Sequence, residues 1–127
     1  MRIIFNFLLL FCLFTTMANS QQVNYEIINV YKKDTLVISI TDNPSTGYSW
    51  HFDKSVKVKN VIYLGDSFKP NEQGLIGAAG TRFFKFYAKK QGEIVLKFYK
   101  SRGEQQPIET KEYKVVIQNI AKKSSTD

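Results

Sequence analysis

His51 is the only histidine in a chain of 127 residues, so acid–base or nucleophilic chemistry near neutral pH would draw on it first. A hydrolytic triad also needs a serine in a strained turn and a carboxylate to orient the ring. No serine stands in a G-x-S-x-G turn. A zinc centre takes three or four ligands, and one histidine without cysteines does not supply them. The single cysteine, Cys12, lies in an apolar leader. Glu109 and Glu112 are close in sequence, but nothing places them in a cleft. The stretch from Gly77 to Gly80 lacks the lysine and the spacing of a phosphate loop. No catalytic residue, metal or cofactor is therefore expected, and His51 reads as an ordinary strand residue.

Two segments carry turn chemistry suited to binding instead. In Asn43-Pro44-Ser45-Thr46-Gly47-Tyr48, Asn43 can bond locally to the backbone and Pro44 pre-sets its own φ. Gly47 can take the positive φ that returns the chain to a strand. Ser45 and Thr46 are then pushed to the apex, with Trp50, the only tryptophan, expected beneath them as a packing anchor. In Gly77-Ala78-Ala79-Gly80-Thr81, small residues let backbone groups approach a partner closely. From the residues alone, both segments read equally well as plain turns.

These segments need a frame. Arg2, the apolar run Ile3–Phe14 and the small residues Ala18-Asn19-Ser20 read as a secretory signal peptide over residues 1–20. The run is too short for a membrane anchor. Removing 20 of 127 residues leaves 107, enough for one core. A secretory or vesicular location follows as an expectation, with no membrane span after cleavage. Period-two alternation marks strands at Leu36/Ile38/Ile40, Phe84/Phe86/Ala88, Ile94/Leu96/Phe98 and Tyr113/Val115/Ile117. Breaks fall at 32–34, 43–47, 65–80, 90–92 and 101–107. The expectation is all-β: a single immunoglobulin-like β-sandwich over residues 21–121, with loops clustered at one end and a frayed polar tail at 122–127. The stretch 65–80 reads as one long connection.

The formal net charge of +7 falls to +6 once Arg2 leaves. The lysines come singly and in pairs, at Lys32-Lys33, Lys89-Lys90 and Lys122-Lys123. They form no dense run and no nucleic-acid motif, so a solvated surface is the plain reading and no nucleic-acid partner is expected.

The chain resembles the chagasin-type inhibitors of papain-like cysteine proteases. It has their N-P-[ST]-T-G-[YF] loop at Asn43–Tyr48, followed by Trp50. Gly77-Ala78-Ala79-Gly80-Thr81 is similar to their G-x-G-G-T loop, with Ala79 where glycine is usual. Their third loop holds Arg-Pro-Trp; here Arg102 is followed by Gly103-Glu104. The resemblance runs from about Tyr25 to Ile120. It implies a monomeric, reversible, tight-binding inhibitor of papain-like cysteine proteases, in which three loops enter the active-site cleft as a wedge. It also implies that Arg102, Gly103 and Glu104 contribute less than the other two loops, and that Pro-Trp in place of Gly103-Glu104 would tighten binding. The competing class is an immunoglobulin-like adhesion or carbohydrate-binding module.

Overall fold

The computed structural model describes residues 24–71 and 77–120. The expected signal peptide, the polar tail and the apolar pair Leu75-Ile76 lie outside them.

Seven strands follow one another: β1 (Glu26–Tyr31), β2 (Thr35–Asp42), β3 (Ser49–Phe52), β4 (Val61–Pro70), β5 (Gly80–Ala88), β6 (Gly92–Ser101) and β7 (Glu109–Gln118). They form a four-stranded sheet in the order β1-β7-β6-β3 and a three-stranded sheet in the order β2-β5-β4. This is the expected all-β, immunoglobulin-like sandwich. β1 runs parallel to β7, pairing Glu26 with Tyr113 and Tyr31 with Gln118, while the other pairs are antiparallel.

The alternation seen in the sequence is what closes the two sheets. Leu36, Ile38 and Ile40 of β2 and Phe84, Phe86 and Ala88 of β5 meet Ile94, Leu96, Phe98, Tyr113, Val115 and Ile117 of the opposing sheet. Burying each such Leu, Ile or Phe is worth about 1.5–3 kcal/mol, and the core must do without a disulfide. Phe52, Tyr63, Phe84, Phe86 and Phe98 interlock at its centre, with Phe52 meeting Phe86 edge to face at 4.9 Å. Trp50 is buried in the same cluster.

One expectation fails here. The stretch 65–80 is not one long connection, because β4 continues to Pro70 and β5 begins at Gly80. Gly65, with φ of 119°, marks a bulge between Tyr63 and Gly65. Past it, Asp66 rather than an apolar residue stands opposite Phe84. Pro70 ends the strand at the sheet edge, where its missing N–H costs no ladder bond. These are the residues that interrupt alternation in the sequence.

Each strand crosses the sandwich once, so successive connections fall at alternate ends. The β2–β3, β4–β5 and β6–β7 connections share one end. The β1–β2, β3–β4 and β5–β6 connections share the other, where Lys33 N–H donates to the Ala88 carbonyl and the Lys89 and Lys90 N–H groups donate to that of Asn60.

Candidate functional site

The β2–β3 connection is a single 3-10 turn, Pro44–Thr46, with Pro44 at its first position and Gly47 closing it at φ 84°. The N–H groups of Thr46 and Gly47 donate to the Asn43 and Pro44 carbonyls at 3.2 and 3.0 Å. Ser45 and Thr46 are exposed at the apex, as the sequence suggests. Their hydroxyls nevertheless turn inward. Ser45 Oγ donates to Asn43 Oδ1, and Thr46 Oγ1 donates to the Asn43 carbonyl at 2.8 Å while accepting from the Tyr48 N–H at 3.3 Å. The two hydroxyls hold the turn in shape. Tyr48 stands just ahead of β3 rather than within it.

Asn43 does more than bond locally. Its Nδ2 donates to the Gly77 carbonyl at 3.4 Å, joining the first connection to the second. Gly77 has φ of 85°, and Ser45 Oγ lies 3.8 Å from where a Cβ would sit on it. The Asn71 N–H donates to the Ala79 carbonyl at 3.2 Å and draws the base of the β4–β5 connection together. Ala78, Ala79 and Thr81 are half-buried. Gly80 is buried for a packing reason: a Cβ there would stand 2.3 Å from the Lys69 carbonyl oxygen and 2.6 Å from the Phe68 ring. It shapes the hairpin that carries the loop and presents no surface of its own.

Arg102 joins the third connection to the first. Its Nη2 donates to the Thr46 carbonyl at 3.0 Å, and its guanidinium lies 4.5 Å from the centre of the Tyr48 ring. Gly47 is hemmed in by this side chain, with Arg102 Nε 2.9 Å from the position of a Cβ. Gly103 has φ of 54° within a turn closed by the Gln105 N–H on the Arg102 carbonyl at 3.1 Å. Glu104 is exposed and makes no side-chain hydrogen bond or ion pair among the described residues. The three segments singled out in the sequence therefore converge, and Asn43, Gly77, Thr46, Tyr48 and Arg102 tie them together.

A polar network beneath the first loop escaped the sequence reading. Asp42 ends the inward-facing series Leu36, Ile38, Ile40 and is buried. Its carboxylate accepts from Arg82 Nε at 2.6 Å and from the Asn43 N–H at 3.0 Å. Arg82 Nη1 also reaches Asp66 Oδ2 at 2.7 Å, and Tyr63 donates to Asp66 Oδ1 at 2.7 Å. Burial raises the Asp66 carboxyl, but the Tyr63 and Arg82 hydrogen bonds outweigh it and hold the group below its ordinary value. Burial and then the Asp66 hydrogen bond push the Tyr63 hydroxyl far up. The signal for the network was parity: in β2 the position after Leu36, Ile38 and Ile40 is an aspartate, which cannot face a core without a cation.

His51 is exposed, with its ring 5.4 Å from that of Tyr99. Glu112 pairs with Lys97 at 3.3 Å across the sheet rather than with Glu109. Among the described residues no cluster of three or more His, Cys, Asp or Glu could hold a metal, and no helix is long and apolar enough to cross a membrane.

Three loops tied to one another by side-chain hydrogen bonds thus stand at one end of the β-sandwich. The sequence matches the chagasin family of peptidase inhibitors, I42, over residues 29–117, and the chain belongs to that family. The family is one of inhibitors, not enzymes. The cysteine protease inhibitor EhICP2 from Entamoeba histolytica has a similar fold, with a TM-score of 0.59 and 23% identity over 77% of this chain and 91% of that one. Amebosin is similar with a TM-score of 0.55 and 19% identity over 74% and 88%. PbICP-C, solved in complex with falcipain-2, has a TM-score of 0.49 and 21% identity over 78% and 93%. No curated protein sequence matches the chain.

Proposed function

We infer that the protein is a reversible, tight-binding inhibitor of papain-like cysteine proteases, and that its three tied loops enter the protease cleft together. The observation that carries this reading is the bracing of Asn43–Tyr48 to Gly77 on one side and to Arg102 on the other, in a chain of the chagasin family. The cysteine protease inhibitor from Entamoeba, similar in fold, supports the choice of protease class. Preorganised loops lose little freedom on binding, which favours affinity more than contact area does. The apex offers backbone and small hydroxyl groups whose hydrogens are already committed, so the loop resists deformation into a scissile geometry. In this reading the inhibitor works as a monomer and reaches its target through the secretory pathway after loss of residues 1–20.

Titration of active papain with the protein tests it. Stoichiometric inhibition that reverses on dilution, with the inhibitor intact by mass spectrometry, is expected. A folded protein that leaves a panel of papain-like proteases uninhibited would overturn the reading. Thr46→Arg addresses the wedge, because a long charged chain at the apex should obstruct entry. Unchanged inhibition by that variant would place the contact elsewhere on the molecule.

A further inference from the structure

The lysines that look scattered along the sequence are gathered by the fold. The β1–β2, β3–β4 and β5–β6 connections (residues 32–34, 53–60 and 89–91) contain Lys32, Lys33, Lys54, Lys57, Lys59, Lys89 and Lys90. Seven lysines against Asp34 and Asp53 leave a formal charge of +5 on three connections that hydrogen-bond to strand ends and to one another. None of these lysines is ion-paired among the described residues. Among the described residues of the opposite connections, 43–48, 71, 77–79 and 102–108, the charged side chains are Arg102 and Glu104, which leaves them formally neutral.

Charge is not the only property of this basic end. Tyr31, Val56, Ile62 and Ile120 are exposed within or beside the same connections. Beside the β3–β4 connection lies a groove of about 480 Å³, lined by Val56, Val58, Lys57, Lys59, Asn60 and Lys97 among others. Lysine ammonium groups on long apolar stems, set among protruding apolar side chains, match a lipid interface: the stems and apolar groups reach the acyl boundary while the charges stay with the headgroups. A sulfated chain or a nucleic acid would favour planar, bidentate arginines or stacking aromatics. The three connections contain no arginine.

We propose that this basic end docks the protein on anionic lipid membranes. The opposite loops stand a full strand length away, roughly 30 Å for strands of this size. A docked molecule therefore keeps them free, and membrane binding is independent of the protease reading.

The test is co-sedimentation of protein made from the full-length chain with vesicles of phosphatidylcholine alone or with about one-third phosphatidylserine. Wild type is compared with a variant carrying Lys32→Gln, Lys33→Gln, Lys89→Gln and Lys90→Gln. Any apolar leader still attached is common to both proteins and to both vesicles. Binding is expected only to the anionic vesicles. It should weaken as salt rises and fall about fivefold for each lysine removed, with papain titration and thermal unfolding unchanged. Equal binding by wild type and variant, equal binding to both vesicle types, or no binding would overturn the proposal. Retention on a sulfated polysaccharide without vesicle binding would overturn it in favour of a polyanion site.

Discussion

Arg102 caps the face of Tyr48 at 4.5 Å while its Nη2 bonds the carbonyl of Thr46, two residues earlier. One side chain from the β6–β7 connection thus fixes both the ring and the backbone of the β2–β3 turn. Arg102→Ala should leave the melting temperature nearly unchanged, because the contact is exposed. It should raise the inhibition constant for papain about tenfold, from the loss of one charge-assisted hydrogen bond and a cation–π contact. Arg102→Lys should recover little, since an ammonium cannot span the ring and the carbonyl as the planar fork does. Steady-state inhibition of the three proteins, with amide exchange at residues 46–48, checks this.

Gly103→Pro should harm the third loop. The resemblance to proline-bearing relatives suggests the opposite, but Gly103 sits at φ 54° and proline is fixed near −65°. The turn closed by Gln105 on Arg102 would have to rebuild. A loss of about 1–2 kcal/mol in urea unfolding is expected, with weaker rather than tighter inhibition.

Asp42→Asn should be far more damaging than its distance from the apex suggests. The Asp42 side chain is fully buried and the Arg82 side chain is 16% exposed. Arg82 keeps Asp66 as a partner, so the loss is that of a buried charged hydrogen bond, about 1.5–3 kcal/mol. Unfolding in urea should show that loss. Double substitution to apolar residues of similar volume, Asp42→Leu with Arg82→Met, should recover only part of it, because Asp66 then loses Arg82, and it should weaken inhibition, because the Asn43 N–H loses its acceptor.

Acid sensitivity should trace partly to Asp66. Its folded-state carboxyl is held below the ordinary value while the unfolded one titrates near about 4. The stabilisation is therefore complete above that pH and is lost as pH falls through the lower, folded value. Wild type should keep its melting temperature from pH 7 to 5 and lose it below about 4. Asp66→Asn should start lower and show a shallower decline, as read by calorimetry across pH.

The sandwich was readable where side chains alternate without interruption. β2, β5, β6 and β7 keep one apolar face across Leu36–Ile40, Phe84–Ala88, Ile94–Phe98 and Tyr113–Ile117, and the core falls at Ile38, Phe84, Leu96 and Val115 as period two requires. β4 hid behind Gly65, Asp66 and Pro70, residues that locally signal a loop but are tolerated by a bulged edge strand. The parallel pairing of β1 with β7 joins segments nearly the whole domain apart, and no local pattern encodes it. The loop residues were legible because turns demand particular chemistry at Pro44 and Gly47. Their mutual bracing was not, since Asn43 to Gly77 and Arg102 to Thr46 are contacts between distant positions.

The parallel β1–β7 pair gives the domain a direction that matters for handling it. β1 enters from the side of the Asn43 and Arg102 loops, and β7 leaves at Gln118 beside Lys32, whose N–H bonds its carbonyl. A bead, sensor chip or reporter attached after β7 would therefore hold the protein by its far pole and aim the Asn43 and Arg102 loops into solution. The same attachment ahead of β1 would crowd those loops.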